Sequence, residues 1–392
     1  MFAWLGRLVQ RLVRIVVRLV QVLLVLGVAV VVLAFLSTNH FVAFGGSPDA
    51  AKLAASPEWK NGRFENLEDT HLMAASKWPA SLRELAFGAE MRTPSCALPV
   101  VTDAAARLAT PPSSGLRVTW LGHSTTLLEL DGAKILTDPM WSERASPSEW
   151  VGPKRFHAPP LALDALPKLD AVVISHEHYD HLDERTVKAL AKTGVAFHVP
   201  LGIGAHLAAW GIAAAQIHEH DWWKEETLPG GVRVVATPAR HFNGRGLPWR
   251  KGALWTSWSL VGPKHRVFFS GDTGLTDSLR EIKRRLGPFD VALFEIGQWN
   301  QAWGDIHLGP AGALEAHARL GAKALIPIHW STFVLAYHAW SEPAETLLAK
   351  ASAKGATVLT PRLGEPIEAA ASPLPTTSAW WRALPPIAAK CP

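Results

Sequence analysis

The chain has 392 residues, 48% of them hydrophobic, which is enough for a substantial core and too apolar for a disordered chain. Of the formal charge of +5, four arginines (Arg7, Arg11, Arg14 and Arg18) lie at the N-terminus; without them the remainder is close to neutral, which argues against a nucleic-acid surface. The two cysteines, Cys96 and Cys391, make neither a disulfide framework nor a cysteine metal site, although they can pair in an oxidising compartment.

Residues 1–18 form a basic segment whose arginines share one helical face. In residues 19–38, "LVQVLLVLGVAVVVLAFL" (Leu19 to Leu36) is apolar except for Gln21. As a helix this run rises about 27 Å, close to the hydrocarbon thickness of a bilayer. It is expected to be a transmembrane signal-anchor, with the N-terminus cytoplasmic and the rest extracytoplasmic by the positive-inside tendency. The alternative is a cleaved signal peptide, but its apolar core would be unusually long and no small-x-small site follows. Residues 39–114 show no clear strand pattern and read as a connecting segment wrapping a domain that begins after the breaker "ATPPSSG" (Ala109 to Gly115).

Residues 115–369 carry short β-rich runs: "LRVTWLG", "TTLLEL", "AKILTD", "DAVVIS", "AFHV", "VRVVATP", "LWTSWSLVG", "HRVFFSG", "FDVALFEI" and "AKALIPIH". Asp131-Gly132 is a hairpin signal between the second and third. Helical patterns intervene at Glu184 to Lys192, Ser278 to Leu286 and Ala311 to Leu320, which suggests an α/β sandwich with sheets inside and helices outside. Residues 370–392 are Pro/Ala-rich and read as an extended C-terminal arm. The eighteen tryptophans suit a core, a membrane interface or a greasy pocket.

"HEHYDH", His176 to His181, follows the apolar run "DAVVIS". Neutral imidazole and carboxylate are the ligand set of zinc and similar ions. With residues alternating in a tight loop, His176 and His178 can serve one ion while Asp180 and His181 serve a second. Three later strands also end in a candidate ligand: His241 in "TPARHF", Asp272 in "FFSGDTG" and His329 in "LIPIHWSTF". A lone histidine at a strand end is more often structural; the order and co-occurrence of these residues favour metal.

The series His-x-His-x-Asp-His, His, Asp, His resembles the metallo-β-lactamase-fold hydrolase superfamily and is matched at all seven positions. The resemblance implies an αββα four-layer sandwich and two Zn2+ per chain, one held by His176, His178 and His241 and the other by Asp180, His181 and His329, with Asp272 bridging. Histidine at 178, where di-iron redox members carry Glu, favours hydrolytic zinc chemistry. "TWLGHST", "LTDPMWSERASPSEWVGPKRF", "DWWKEE", "SWSLVGP" and "IHWSTF" further resemble the N-acyl phosphatidylethanolamine-hydrolysing phospholipase D branch and its bacterial relatives. That branch implies a histidine at His307 that contacts substrate near the metals; before it the branch has Gln where this chain has Ile306.

The expected activity is therefore hydrolysis of N-acyl phosphatidylethanolamine, or a related phospholipid at the bilayer, to phosphatidic acid and an N-acylethanolamine. A hydroxide between the ions attacks phosphorus, with Asp180, Asp272 and His307 as the catalytic set. Tyr179 is a candidate substrate contact, and His123 and Asp138 are candidates for orienting the ligands. His198, His206, His218 and His220 show no ligand spacing and read as surface or core residues. A lactonase, a β-lactamase, a nuclease and a non-catalytic envelope protein remain alternatives, and the oligomeric state is open.

Overall fold

A computed structural model of the chain describes residues 2–37, 42–73, 77–88, 91–245 and 252–384, and divides into two compact units, Met1–Gly45 and Gly46–Pro392. In the first unit a single helix, α1 (Phe2–Ser37), takes up both the basic segment and the apolar run that the sequence separates at residue 18. Its stretch Gln10–Val31 has a mean hydropathy of 2.3 and no buried residue. These 22 residues rise about 33 Å, so the helix is long and apolar enough to cross a membrane.

The second unit starts with α2 (Ala50–Leu53), a small hairpin of β1 (Trp59–Lys60) and β2 (Arg63–Phe64), α3 (Trp78–Phe87) and α4 (Ala104–Arg107). Period-2 alternation then builds two sheets. The first uses β3 (Leu116–Gly122), β4 (Thr125–Leu130), β5 (Ala133–Thr137), β6 (Ala171–Val173), β7 (Ala196–Pro200) and β8 (Ile217–His220), with α5 (Glu184–Ala191) and α6 (Ile203–Ala209) in the crossovers. The second uses β9 (Glu225–Thr227), β10 (Arg233–Thr237), β11 (Ser257–Val261), β12 (Arg266–Phe269), β13 (Val291–Glu295) and β14 (Ala324–Ile328), with α7 (Ser278–Leu286), α8 (Gly309–Leu320) and α9 (Glu342–Ala351). A last strand, β15 (Pro366–Glu368), returns to the first sheet.

Spatial order is β15-β3-β4-β5-β6-β7-β8 in the seven-stranded sheet and β14-β13-β12-β11-β10-β9 in the six-stranded one. Each sheet is antiparallel at one end and parallel at the other, because hairpins join neighbours such as β4 and β5 while helices carry the chain between β12, β13 and β14. At the β4–β5 hairpin Asp131 and Gly132 have φ of 49° and 95°, the left-handed pair such a turn needs.

Alternation decides what each strand buries. Leu128 and Leu130 of β4, Ile135 of β5 and Val173 of β6 share a core with Val234, Trp258 and Phe269 of the facing sheet. Leu127, Leu136 and Val172, from the opposite faces of the same strands, pack with Val187, Leu190 and Leu207 of α5 and α6. The helices α7, α8 and α9 cover the outside of the six-stranded sheet through Ile282, Leu314 and Leu347. The result is the αββα sandwich that the pattern and the resemblance imply.

Three short strands, β8, β9 and β15, and the helices α6 and α9 have no counterpart in the sequence reading. Strands of three or four residues carry too little alternation to register. The C-terminal segment, read as an extended arm, folds back, with Trp380 and Trp381 buried against Trp330 at ring separations of 5.6 and 5.1 Å. Most described tryptophans are core, including Trp120, Trp210, Trp222, Trp255, Trp258 and Trp340. Cys96 is disulfide-bonded; Cys391 lies outside the described residues.

Candidate metal centre

The strand ends β6, β10, β12 and β14 open at one edge of the sandwich, and their loops bring the seven expected residues together. "HEHYDH" leaves β6 with its residues alternating. His176 and His178 turn to one side, while Glu177 turns to the other, where it is buried and 3.0 Å from His206 Nε2. His176 Nε2 and His178 Nδ1 are 2.8 Å apart, and His241 Nε2 is 3.3 Å from His178 Nδ1. Asp272 Oδ2 lies 3.8 Å from His176 Nε2 and 3.9 Å from His241 Nε2.

The second group lies against the first. Asp180 Oδ2 is 3.3 Å from His181 Nε2 and 3.4 Å from His329 Nε2. Asp272 belongs to both groups, its Oδ2 3.2 Å from His181 Nε2 and its Oδ1 3.2 Å from His329 Nε2. The ligand atoms of His176, His178, His241 and Asp272 lie within 4.8 Å of one another, as do those of Asp180, His181 and His329 with His123, and those of Asp272 and His329 with Glu295 and His307. His181 Nε2 and Asp272 Oδ1 are buried and without a hydrogen-bond partner, a costly arrangement unless a cation accepts both.

The outward nitrogens are fixed. His176 Nδ1 contacts Ser175 Oγ at 2.9 Å, and Ser175 Oγ donates to Asp138 Oδ2 at 2.6 Å. His181 Nδ1 meets the same Asp138 oxygen at 2.7 Å, His241 Nδ1 the carbonyl of Ile306 at 2.9 Å, and His329 Nδ1 the carbonyl of Gly297 at 3.1 Å. In these four rings Nδ1 is thus engaged by a neighbour and Nε2 turned inward, the outer-partner arrangement of metal-ligating histidines. His123 Nε2 lies 2.8 Å from Asp180 Oδ2, and the backbone of His123 accepts from His329 N at 2.9 Å.

Backbone strain is concentrated here. His123, Asp138 and His329 have φ of 50°, 33° and 64°. Gly271, at φ 55°, lets the Asp272 turn pass against the loop after β6, where a Cβ would lie 2.4 Å from Ser175 Cβ.

The two carboxylates draw positive charge into the cluster. Burial pulls His181 and His329 down, but Asp272 and Asp180 outweigh it and hold both above the usual range, His329 at about 10. Burial raises Asp272, but His181 and His329 outweigh that and hold it well below the usual carboxylate range. His176 and His241 are held well below the usual range by burial and by their neighbouring imidazoles. Beside the ionised carboxylates of Asp180 and Asp272, positive charge is therefore supplied either by protons on His181 and His329 or by divalent ions.

His307 and Tyr179 separate. His307 Nδ1 sits 4.0 Å from Asp272 Oδ2 at the rim of the cluster. The Tyr179 hydroxyl donates to the Arg245 carbonyl at 3.0 Å, and its ring stacks under the Arg245 guanidinium at 4.2 Å, which directs it to the loop's packing side.

Three positions escaped the sequence reading. Glu295, fully buried at the end of β13, reaches His307; a carboxylate between Phe294 and Ile296 in "FDVALFEI" was the available signal. Glu177 and Asn66 hold the loops: Glu177 accepts from Arg245 N at 3.2 Å, and Asn66 exchanges two bonds with the His241 backbone, 2.8 and 3.0 Å. Asn66 lies in the connecting segment, so that segment takes part in the site. His198 and His220 are core residues and His218 is partly exposed, as the sequence reading has them, but their proximity to one another was not foreseen. His198 and His218 converge with Glu226, because β8 pairs in parallel with β7 and places His218 opposite His198, and His220 Nε2 lies 3.1 Å from His198 Nδ1.

Comparisons with known proteins agree with this geometry. Residues 133–330 match the family described as the beta-lactamase superfamily domain. An uncharacterized protein of Mycobacterium tuberculosis is 45% identical over 85% of this chain and 91% of its own length. The N-acyl-phosphatidylethanolamine-hydrolyzing phospholipase D 1 of Caenorhabditis elegans is 39% identical over 56% of this chain and 65% of its own. Among solved structures, an isothiocyanate hydrolase from Delia radicum gut bacteria shares the fold, with a TM-score of 0.52, 19% identity, and coverage of 64% of this chain and 98% of the other. With the two-sheet fold and its clustered histidines and aspartates, these matches make the chain a member of the beta-lactamase superfamily, a metal-dependent hydrolase of the metallo-β-lactamase fold.

Proposed function

We propose that this protein is a membrane-anchored dinuclear-zinc phosphodiesterase of phospholipase D type, cleaving N-acyl phosphatidylethanolamine or a related phospholipid to phosphatidic acid and an N-acylethanolamine. The observation that carries the reading is the 39% identity to a relative named for that activity, combined with an unbroken two-lobed cluster sharing Asp272. His176, His178, His241 and Asp272 would hold one zinc, and Asp180, His181, His329 and Asp272 the other. When bound, the two ions supply Lewis acidity to the phosphoryl oxygens and to the attacking water.

The chain's own residues position the substrate and its protons. Glu295 holds His307 by Nδ1, which leaves Nε2–H for a phosphoryl oxygen of the lipid. Asp138 and His123 fix the rings and the carboxylate around the reacting phosphorus. Water adds to phosphorus, the bond from phosphorus to the ethanolamine oxygen breaks, and that oxygen gains a proton as the N-acylethanolamine leaves.

Two features support a lipid. A cavity of about 450 Å3 borders His241 and Phe242, and its rim carries Leu67 and Leu72, both more than half exposed. Exposed leucines beside a polar cavity suit acyl chains entering from a bilayer. The helix α1 is the proposed anchor, and its arginines keep the N-terminus cytoplasmic and the catalytic unit extracytoplasmic.

The test uses the detergent-solubilised full chain with N-acyl phosphatidylethanolamine. Release of phosphatidic acid by the wild type, lost in Asp272→Asn, is expected. Metal-replete protein that leaves this lipid and its phosphodiester analogues intact, while opening lactones or β-lactams, would overturn the reading.

A further inference from the structure

At the opposite side of the β6 strand order from β5, the two sheets end in β8 and β9, the free edges of the seven- and six-stranded sheets. The chain passes from one to the other through the turn Asp221–Lys224. Around this edge four side chains from three strands point at one another. His218 and His220 lie two residues apart on β8 and so share a face. His198 of β7 stands opposite His218 in the parallel register. The face is the one between the sheets, since the His220 ring meets Trp258 of β11 edge-on at 5.5 Å. Glu226 of β9 enters from the other sheet.

The converging atoms are His198 Nδ1, His218 Nδ1, His220 Nε2 and Glu226 Oε2. His218 Nδ1 is 2.9 Å from Glu226 Oε2, and His198 Nδ1 is 3.1 Å from His220 Nε2. The Glu226 oxygen lies 3.7 Å from His198 Nδ1 and 3.8 Å from His220 Nε2. Ligands bound at 2.0–2.1 Å around a tetrahedral ion stand about 3.3 Å apart, and these four of the six separations bracket that value. The principal cluster shows the same spread among its own nitrogens and oxygens, and the two share no residue.

We propose that His198, His218 and Glu226, with His220 beside them, form a further metal site for zinc or a similar borderline divalent ion that ties the free edges of the two sheets together. Three imidazoles with one carboxylate select such ions over magnesium or calcium, which require mostly oxygen. The edge is reachable: a cavity of about 310 Å3 opens on His198 and Glu226, and His218 and Glu226 are partly exposed. The ion would join two strands of four and three residues that pair on one side only.

The experiment counts zinc per chain in the full-length detergent-solubilised protein after loading with excess zinc and gel filtration. A His218→Asn/Glu226→Gln double variant is expected to hold one ion fewer than wild type. Asp272→Asn is expected to lose ions while retaining the His218-dependent one, which separates this site from the principal cluster and from any outcome with lipid. In cobalt-loaded protein, a tetrahedral visible absorption band should be lost in the double variant. If the double variant fails to fold, Glu226→Gln alone makes the same comparison at a partly exposed position. Equal zinc counts and equal cobalt spectra in wild type and variant would overturn the proposal and leave a hydrogen-bonded histidine cluster.

Discussion

Glu295 holds His307 at the rim of the metal cluster: both carboxylate oxygens lie within reach of His307 Nδ1, at 3.0 and 3.2 Å, and the carboxylate is fully buried. Oε1 also accepts from Thr273 N at 2.9 Å and Leu308 N at 3.2 Å. One side chain therefore ties the Asp272 turn, the His307 loop and the end of β13 together. Burial pulls His307 down, but Glu295 outweighs it and holds the ring above its ordinary value.

Replacing Glu295 with glutamine keeps the shape and removes the charge. The expected result is a kcat about 10- to 100-fold lower, with bound metal unchanged, because His307 is a rim residue in neither proposed ligand set. Steady-state kinetics paired with metal analysis on the same sample checks this. An equal loss of metal would assign Glu295 to the ligand shell instead.

Asp138→Asn should act on the metals. Asp138 accepts from Ser175 N at 2.7 Å and meets His181 Nδ1 at 2.7 Å. An asparagine offers one oxygen where the aspartate offers two, and its amide would face a ring or hydroxyl hydrogen. Metal affinity is expected to fall about 10- to 100-fold, measured by competition with a chelator of known affinity. The principal cluster's spectrum with cobalt should broaden while the secondary structure stays.

Chelation should destabilise the whole second unit. The Asp272 and His181 atoms without hydrogen-bond partners lie at the centre of four loops, and an ion binding only the folded state stabilises it by about 4 kcal/mol at a thousandfold excess over its Kd. Thermal melts with and without chelator should differ by several degrees, and added zinc should restore the higher midpoint. Identical midpoints would mean that the loops hold without metal.

Acid sensitivity should follow from His157, which is in neither proposed ligand set and whose Nε2 lies 3.3 Å from Thr332 Oγ1. Burial pushes His157 down to about 4, with Arg155 adding to the effect against the Ala158 carbonyl that accepts from its ring. Below its ordinary value of 6.5 the unfolded chain takes up this proton and the folded chain does not. Stability is thus fully present above pH 6.5 and is lost as pH falls toward about 4, by about 3 kcal/mol for a shift of this size. Denaturant unfolding at pH 7 and pH 5 measures the difference, which should shrink in His157→Gln.

Much of the site was legible before any coordinates. Each of the seven clustered residues follows a strongly apolar strand, so local pattern alone places them at strand ends, and their order distinguishes them from scattered histidines. Glu295 was not legible as part of the site because it sits inside a strand pattern, where a carboxylate reads as a strand terminus. Asn66 was hidden for a different reason: its bonds to His241 span 175 residues, and nothing near Asn66 in the chain announces them. The β8 and β9 strands were too short for their alternation to register, so His198, His218 and His220 looked unrelated.

The sequence by itself determined the strand-and-helix alternation, the apolar N-terminal helix and the identity of the clustered histidines and aspartates, because these depend on side chains a few residues apart. Only the tertiary structure decided which residues share a site. It brought Asp272 between two groups of histidines, turned Tyr179 onto Arg245 and joined His198 to Glu226 across two sheets. Those relations depend on strand register and on the crossing of two sheets, and a shift of a single residue in register would send every such side chain to the opposite face.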